Sequence, residues 1–399
     1  MADPPVEQSE SADAVIGLIS AGRDHHSVET TIAHILETPV PIRVALLHPP
    51  LAAGNGQAPA APSNWLLIAS PQLAFDPSSF TQSLGEGIRA TSDAARKLNS
   101  RACALVASDL SAANADWVNL LLQPVLEQQF DLVAPCYARH AFEGMINRAI
   151  VYPLVRALYG KRIRNPMGPD FGVSSRLLER VSKASQARAH ALPSLAAEAV
   201  TGGMPLCQAH LGPRNYAAPD WTNLSSLLAR VLGPLFLDVE RYAAHWQRAR
   251  GSQPIREFGQ PMYLETPQSA MDVSRLIESF QLGAHNLQEI WGLILPPSTL
   301  VELRRMARTA APQFRMADTT WAHVVYDFAL AHRLRTISRE QMLRALTPIY
   351  LGWVASYALE LELASAQAAE QRLERLCVAY EETKPYLVSR WRWPDRFNP

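Results

Sequence analysis

The sequence predicts an α/β sheet flanked by helices, followed by an all-α C-terminal domain. Three observations carry that expectation. Short apolar runs alternate with segments of helical periodicity as far as about residue 211, and from Trp221 onward the texture is almost wholly helical. The chain is also 399 residues long with 48% hydrophobic residues, more than one core usually holds. The expected organisation is a disordered tail over 1–13, an α/β domain over 14–220 and a helical domain over 221–399.

The tail, MADPPVEQSESAD, is acidic and polar and lacks the apolar core of a signal peptide. Residues 14–20 (AVIGLIS) read as the first strand. Segment 27–37 puts Val28, Ile32, Ile35 and Leu36 on one helical face behind a Ser27 cap. A second strand follows over 42–47 (IRVALL), then a loop over 49–64 that is rich in Pro, Ala and Gly. Residues 65–69 (WLLIA) make a third strand and 78–99 a helix. The run 102–110 (ACALVASDL) reads as an interior strand of a parallel sheet ending in one carboxylate, Asp109.

Beyond it, 117–129 is helical, 132–135 is a strand, and 142–159 is a helix that restarts around Pro153. Residues 171–174 form a further strand, a helix runs to about residue 185, and 204–211 closes the first domain. The C-terminal helices are expected over 223–249, 272–295, 298–309, 318–334, 338–363 and 364–390, with 251–267 as a linker. Trp246, Trp291, Trp321, Tyr326 and Trp353 fall on the apolar stripes of these helices and read as core.

Composition removes several function classes. Lys+Arg and Asp+Glu both number 37, so no net field draws nucleic acid or acidic lipid. The four cysteines, Cys103, Cys136, Cys207 and Cys377, form no C-x-x-C pair, which points to reduced, buried thiols in the cytoplasm. The longest uncharged helical run lies between Arg344 and Glu360, contains Pro348, and is too short to span a bilayer. No transmembrane segment is expected. No G-x-G-x-x-G follows the first strand, and neither a Walker loop nor a G-x-S-x-G is present. Asp24-His25-His26 are adjacent in sequence and read as a solvated cluster. His323 and His332 read as structural.

Three patches fall at the expected carboxyl edge of the sheet: Ser108-Asp109, Tyr137-Ala138-Arg139-His140, and Gly168-Pro169-Asp170. Ligands of open α/β sheets bind beyond that edge. There Asp109 has two readings, a group for chemistry or a cap for the helix that begins near Asp116. A carboxylate at a strand end can hold a divalent cation and leave positions for phosphate oxygens. Loop 160–170 (GKRIRNPMGPD) brings Lys161, Arg162 and Arg164 together, either to meet a phosphate or carboxylate or as a solvated basic turn. Asp170 can orient a hydroxyl group or stabilise positive charge developing on a sugar. Together the patches suggest transfer of a group from a diphosphate-activated donor.

The run from Ala102 to Val181, with TTWAHVVYDFALAH and LRALTPIYLGWVASYALE further on, resembles bacterial GT-A glycosyltransferases of the mannosylglycerate-synthase and glucosylglycerate-synthase type. The resemblance implies a GT-A nucleotide-diphospho-sugar fold with a mixed sheet, and front-face transfer with retention to a small acceptor, carboxylate-bearing or otherwise polar. It implies a metal role for Asp109, the second acid of an acidic-any-acidic motif whose first position is Ala107 here. Ser108, Asp109, Arg162 and Arg164 would then hold the donor, with Mg²⁺ or Mn²⁺ as cofactor. Arg139, Gly168 and Asp170 would hold the acceptor, and Asp170 and Arg139 would serve catalysis. Several positions depart from the family pattern. Pro169 replaces a glycine, His48-Pro49-Pro50 stands in place of a Gly/Asp/Ser-rich nucleotide loop, and 180–197 is free of acids. The late metal-binding His falls on Tyr216, with His210 as a nearby substitute. Three readings therefore stand: an active nucleotide-sugar glycosyltransferase, a catalytically impaired relative kept as a binding or scaffold protein, or a likeness of packing alone with a crevice that binds nothing. The long C-terminal helices allow a homodimer.

Overall fold

The computed structural model describes residues 11–19, 25–51, 60–73, 80–107, 116–168, 170–187, 194–214, 223–265, 271–362 and 364–394. In chain order the elements begin β1 (Ala14–Ile19), α1 (His25–Leu36), β2 (Val44–His48), β3 (Trp65–Ala69), α2 (Phe80–Lys97), β4 (Ala102–Ala107), α3 (Asp116–Gln128) and β5 (Leu132–Ala138). They continue with a π-helical turn (Asn147–Val151), α4 (Tyr152–Tyr159), β6 (Phe171–Ser174), α5 (Ser175–Ala187), α6 (Leu195–Thr201), β7 (Leu206–Pro213), α7 (Leu224–Arg241), α8 (Ala243–Trp246) and β8 (Arg256–Phe258). The remainder is helical: α9 (Val273–Asn286), α10 (Gln288–Ile294), α11 (Pro297–Met306), α12 (Asp318–Leu334), α13 (Arg339–Glu360) and α14 (Ala366–Arg392). The expected architecture, a mixed sheet with flanking helices and then a helical C-terminal region, is the one observed.

Two compact units divide the chain. The first takes in the described residues of 1–137, 167–215 and 256–260, and the second those of 138–166, 216–255 and 261–399. The first unit is an eight-stranded sheet in the order β3-β2-β1-β4-β6-β5-β7-β8. β1 pairs in parallel with β2 and β4, and β2 with β3. The sheet is not wholly parallel as the sequence suggested for β4, because β6 inserts antiparallel between β4 and β5. The chain leaves the sheet after β5, passes through the π turn and α4, and re-enters it as β6, four residues long and antiparallel to both of its neighbours.

Val28, Ile32 and Ile35 of α1 and Trp117, Val118 and Leu121 of α3 share one buried cluster with Ala14, Ile16, Ala104 and Val106. On the opposite face Thr91 of α2 occupies the space that a Cβ on Gly17 would need, so α2 can lie close against β1. β1 and β4 are buried throughout, as strands covered on both faces must be, and this is why they read as continuous apolar runs. β8 was not foreseen: three residues of the presumed linker pair in parallel with β7. A run so short, with Arg256 and Glu257 both exposed, carries no apolar alternation to announce it.

Unit two is helical. The expected helix over 142–159 begins instead as a π turn, which leaves the Ala149 carbonyl to accept from Trp321 Nε1 at 2.9 Å and Tyr380 Oη at 3.0 Å. The expected helix over 223–249 breaks at Tyr242, and that over 272–295 breaks at Leu287. Gly283 and Gly352 bring α9 and α13 into close contact: Pro348 fills the place of a Cβ on Gly283, and Phe280 Cδ2 lies 2.8 Å from that of Gly352. Trp353 stacks between Trp321 and Tyr357, with centroids at 5.8 and 5.0 Å. The tryptophans read as core are all buried.

All four cysteines are free and buried, and burial pushes the thiols of Cys103, Cys207 and Cys377 up to about 12. Burial, reinforced by Arg339 and Arg335, holds the His332 imidazole down at about 4. The unfolded chain therefore binds a proton near pH 6.5 that the folded chain refuses until about pH 4. Stability from this group is complete above pH 6.5 and is lost as pH falls towards 4, by about 3 kcal/mol in total. Melting at pH 7 and 4.5 should show a smaller acid loss in His332→Leu than in the native chain. Equal losses would remove His332 as the acid-labile group.

Among the described residues no helix is long and apolar enough to cross a membrane.

Candidate functional site

β6 is antiparallel to both β4 and β5, so β4 and β5 run the same way and end on one edge with β1, β2 and β3. Asp131 and Leu132 donate to Pro205 O at one end of β5, whereas Arg214 lies over the Tyr137 ring at the other, so β7 shares that direction. The carboxyl edge of unit one is thus built from the last residues of six strands and from Asp170, which precedes β6.

Asp170 is fully buried there. The amide of Ala107, the last residue of β4, donates to its Oδ1 at 3.0 Å. Tyr137 Oη donates to Oδ2, and the Arg214 guanidinium forms an ion pair with the same oxygen. One carboxylate therefore ties the ends of β4, β5 and β7 together. Tyr137 is fixed further by the Arg214 guanidinium 5.5 Å from its ring centroid and by the Trp117 ring at 6.1 Å. Trp117 in turn donates from Nε1 to Leu211 O. His48 closes the edge on the β2 side, its Nδ1 donating to Pro49 O at 2.8 Å.

Asp170, expected to act on the acceptor, is instead engaged by three donors of its own unit. Arg214 was passed over in the sequence, although a lone arginine just after a strand at this edge is a recognisable sign of a ligand or a partner there. Gly168 is partly buried two residues before Asp170. Ser108, Asp109, Pro169 and Tyr216 lie outside the described residues, as do Asp24 and the side chains of His25 and His26.

His210 faces away from the core strip formed by Cys207, Ala209 and Leu211. Its Nε2 lies 2.8 Å from Glu257 Oε2 on β8, and Gln208 donates to the other oxygen at 2.6 Å. Among the described residues no group of three or more His, Cys, Asp or Glu is placed to hold a metal ion. Asp170 and His210 are both committed to internal partners, so neither is set up as a cation ligand.

The remaining candidates belong to unit two. Arg162 donates to Ser252 Oγ at 3.2 Å and lies 3.9 Å from Glu374. Arg164 pairs with Glu370 and lies over the Tyr152 ring at 5.2 Å. Lys161 reaches Gln253 Oε1 at 3.4 Å. The basic loop is therefore neither bare nor simply solvated; it is matched by acids on α14. Arg164 and Arg148 together hold the Glu370 carboxyl below the usual range against the opposing effect of its burial. Arg139 is partly buried, with Nη1 donating to Asn165 Oδ1 at 3.4 Å.

Comparison with solved structures gives the chain a recognisable likeness. It is similar to glucosyl-3-phosphoglycerate synthase. The Mycobacterium tuberculosis enzyme in complex with Mn²⁺, UDP-glucose and phosphoglyceric acid matches at 16% identity over 58% of this chain and 80% of that one, with a TM-score of 0.40. Its complex with glycerol 3-phosphate in place of phosphoglyceric acid matches at 16% identity over 58% and 80%, with a TM-score of 0.39. A structure described as a mycobacterial protein matches at 16% identity over 58% and 76%, with a TM-score of 0.41. Superpositions this loose transfer no residue role. No family model matches the chain, and no curated protein matches it.

Proposed function

We propose that the chain is a nucleotide-sugar-dependent glycosyltransferase that moves a sugar, with retention, from a nucleotide-diphosphate donor to a small acidic acceptor. The observation that carries this reading is the carboxyl edge of unit one, where Asp170 gathers Ala107, Tyr137 and Arg214 immediately before Ser108-Asp109 in the chain. Ser108 and Asp109 are assigned to the donor, Asp109 as ligand to a Mg²⁺ or Mn²⁺ ion. Such an ion would neutralise charge on the departing diphosphate. Arg162 and Arg164 are assigned to donor phosphates, for which they would exchange their contacts with Glu374 and Glu370. Arg139 is assigned to the acceptor's acidic group as a bidentate clamp. Gly168 lines the acceptor side, and Asp170 serves by fixing the chain beside it.

A second reading, a catalytically impaired glycosyltransferase kept for binding, draws on Ala107 and on the internal engagement of Asp170. Calorimetry and turnover with UDP-, GDP- and ADP-sugars, with and without Mn²⁺, separate the two. A donor at a hundred times its Kd should stabilise the chain by about 2.7 kcal/mol. Turnover that Asp109→Ala lowers on the order of a thousandfold supports the enzyme. Binding without turnover supports the second reading, and absence of any binding overturns both.

A further inference from the structure

We propose that Lys384 is a positioning residue: through segment 249–253 it sets the turn that carries Arg162. Its bearing on the donor rests on the assignment of Arg162 to donor phosphates. Every residue involved belongs to unit two.

α4 ends at Gly160, whose φ of 67° turns the chain out of the helix and leaves the last carbonyls of α4 to find donors outside the regular ladder. The Gly160 amide reaches one of them, Arg156 O, at 3.0 Å. Lys384 takes two more. Buried on α14, it donates from Nζ to Ala157 O at 2.8 Å and to Leu158 O at 3.3 Å, where the helix dipole also favours a cation. Its third donor goes to Ala249 O at 2.6 Å. One ammonium thus ties the end of α4 to the segment that follows α8.

That segment lies along the turn after α4. Gln253 N donates to Gly160 O and Arg162 N donates to Gln253 O, both at 3.1 Å, a parallel bridge centred on Lys161. Ser252 Oγ receives Arg162 Nε at 3.2 Å and Arg156 Nε at 3.0 Å. The backbones approach so closely that a Cβ on Gly160 would lie 3.0 Å from Gly251 O. Residues 252 and 253 therefore set both the amide and the side chain of Arg162. Between them and Ala249 stands Gly251, with a φ of 61°, which lends the segment little stiffness of its own. The anchor at Ala249 then decides how far it can open.

The ammonium has a spectroscopic signature. Burial lowers it to about 8 while Glu381 opposes the shift, so it is charged at pH 7. His245, in the same segment, is held below its ordinary value by burial and by that charge.

Lys384→Met removes the donors and the charge, whereas Gly160→Ala crowds the same contact from the other side and leaves the charge in place. Hydrogen exchange should quicken by about tenfold or more at 249–255 in both variants, with the sheet of unit one unchanged. The His245 titration, followed by NMR, moves up in Lys384→Met and stays native in Gly160→Ala, a distinction that lost packing alone would not make. Calorimetry with UDP-glucose and with inorganic pyrophosphate should show binding weakened by about threefold to tenfold in both, and donor KM should rise likewise with kcat near native where turnover is measured. Native exchange at 249–255 in both variants, or an unmoved His245 in Lys384→Met, overturns the inference. Quickened exchange with native donor binding overturns the assignment of Arg162 and with it the bearing on the donor, while the anchor stands. If Lys384→Met does not fold, exchange in Gly160→Ala decides.

Discussion

Asp170→Ala is expected to destabilise the protein by about 3–5 kcal/mol, because it breaks a buried ion pair. The Arg214 side chain is 2% exposed and pairs with Asp170, fully buried, so removal of the carboxylate takes a countercharge away from a buried guanidinium. Tyr137 Oη and the Ala107 amide lose their acceptor at the same time. At roughly 2–4 °C per kcal/mol for a domain of this class, the melting temperature should fall by about 6–20 °C. Asp170→Asn keeps an acceptor for Ala107 but not the charge, and should fall between the native chain and Asp170→Ala. Adding Arg214→Met to Asp170→Asn should recover part of the loss, since the buried guanidinium is then gone. A melting temperature within about 2 °C of native for Asp170→Ala, which corresponds to a loss below about 1 kcal/mol, would show that the three strand ends are held by something else. Activity measured on Asp170→Asn adds a second reading of the same residue. A group that fixes the edge lowers donor and acceptor use together, whereas one that touches only the acceptor leaves donor binding intact.

Arg156→Ala should produce a loss of similar size in the helical unit. Arg156 is fully buried, and its guanidinium forms two parallel bonds with Glu374, at 2.5 and 2.7 Å, and one of 2.6 Å from Nε to Glu381. Burial works against its charge, but Glu374 and Glu381 more than offset that and hold its pKa above the ordinary value. The same pairing keeps the Glu374 carboxyl below the usual range. Glu374 is half-exposed and can find water, whereas Glu381 is only 18% exposed and would lose its partner in a poorly hydrated place. About 3–5 kcal/mol is therefore expected for Arg156→Ala. Arg156→Lys should recover little of it, because one ammonium cannot present a planar fork to Glu374 while reaching Glu381. Chemical denaturation of the two variants checks this, and a Lys variant as stable as the native chain would mean that charge alone suffices. Because Glu374 is held ionised by the pair, this contribution is present above the carboxylate range and declines as pH falls through it.

Much of the sheet was legible in the chain. β1, β3 and β4 were read from their observed starts: β1 and β4 because strands covered on both faces are apolar throughout, and the partly buried edge strand β3 because its short apolar run follows a loop rich in Pro, Ala and Gly. The stop of β4 is Ala107, and Asp109, on which the sequence argument leaned, falls outside the described residues. β6 was recognised as a strand but its direction was not. Four residues carry no record of which way they run. The helical stripes located α12, α13 and α14 well, yet gave no warning of breaks at Tyr242 and Leu287, where local propensity changes little and packing decides.

The candidate site was legible as a set of residue types at the carboxyl edge, and far less as a set of partnerships. Arg162 and Arg164 read either as a basic loop that meets an anion or as a solvated turn; α14, some 200 residues later, supplies anions from within the chain, with Glu370 following Arg164 at a separation of 206. Asp170 read as a free carboxylate beside a shaped loop, and Arg214, Tyr137 and the Ala107 amide turned out to claim it.

By itself the sequence determined where the chain is extended, where it is helical and which faces are buried, since these follow from the local periodicity of apolar residues. Only the tertiary structure decided which charge meets which. An ion pair is formed by atoms close in space, and residues 170 and 214, or 156 and 374, are brought together by the path of the chain between them. Burial then fixes what each pairing is worth, because the same carboxylate that would be solvated on a loop must be fully matched once water is excluded.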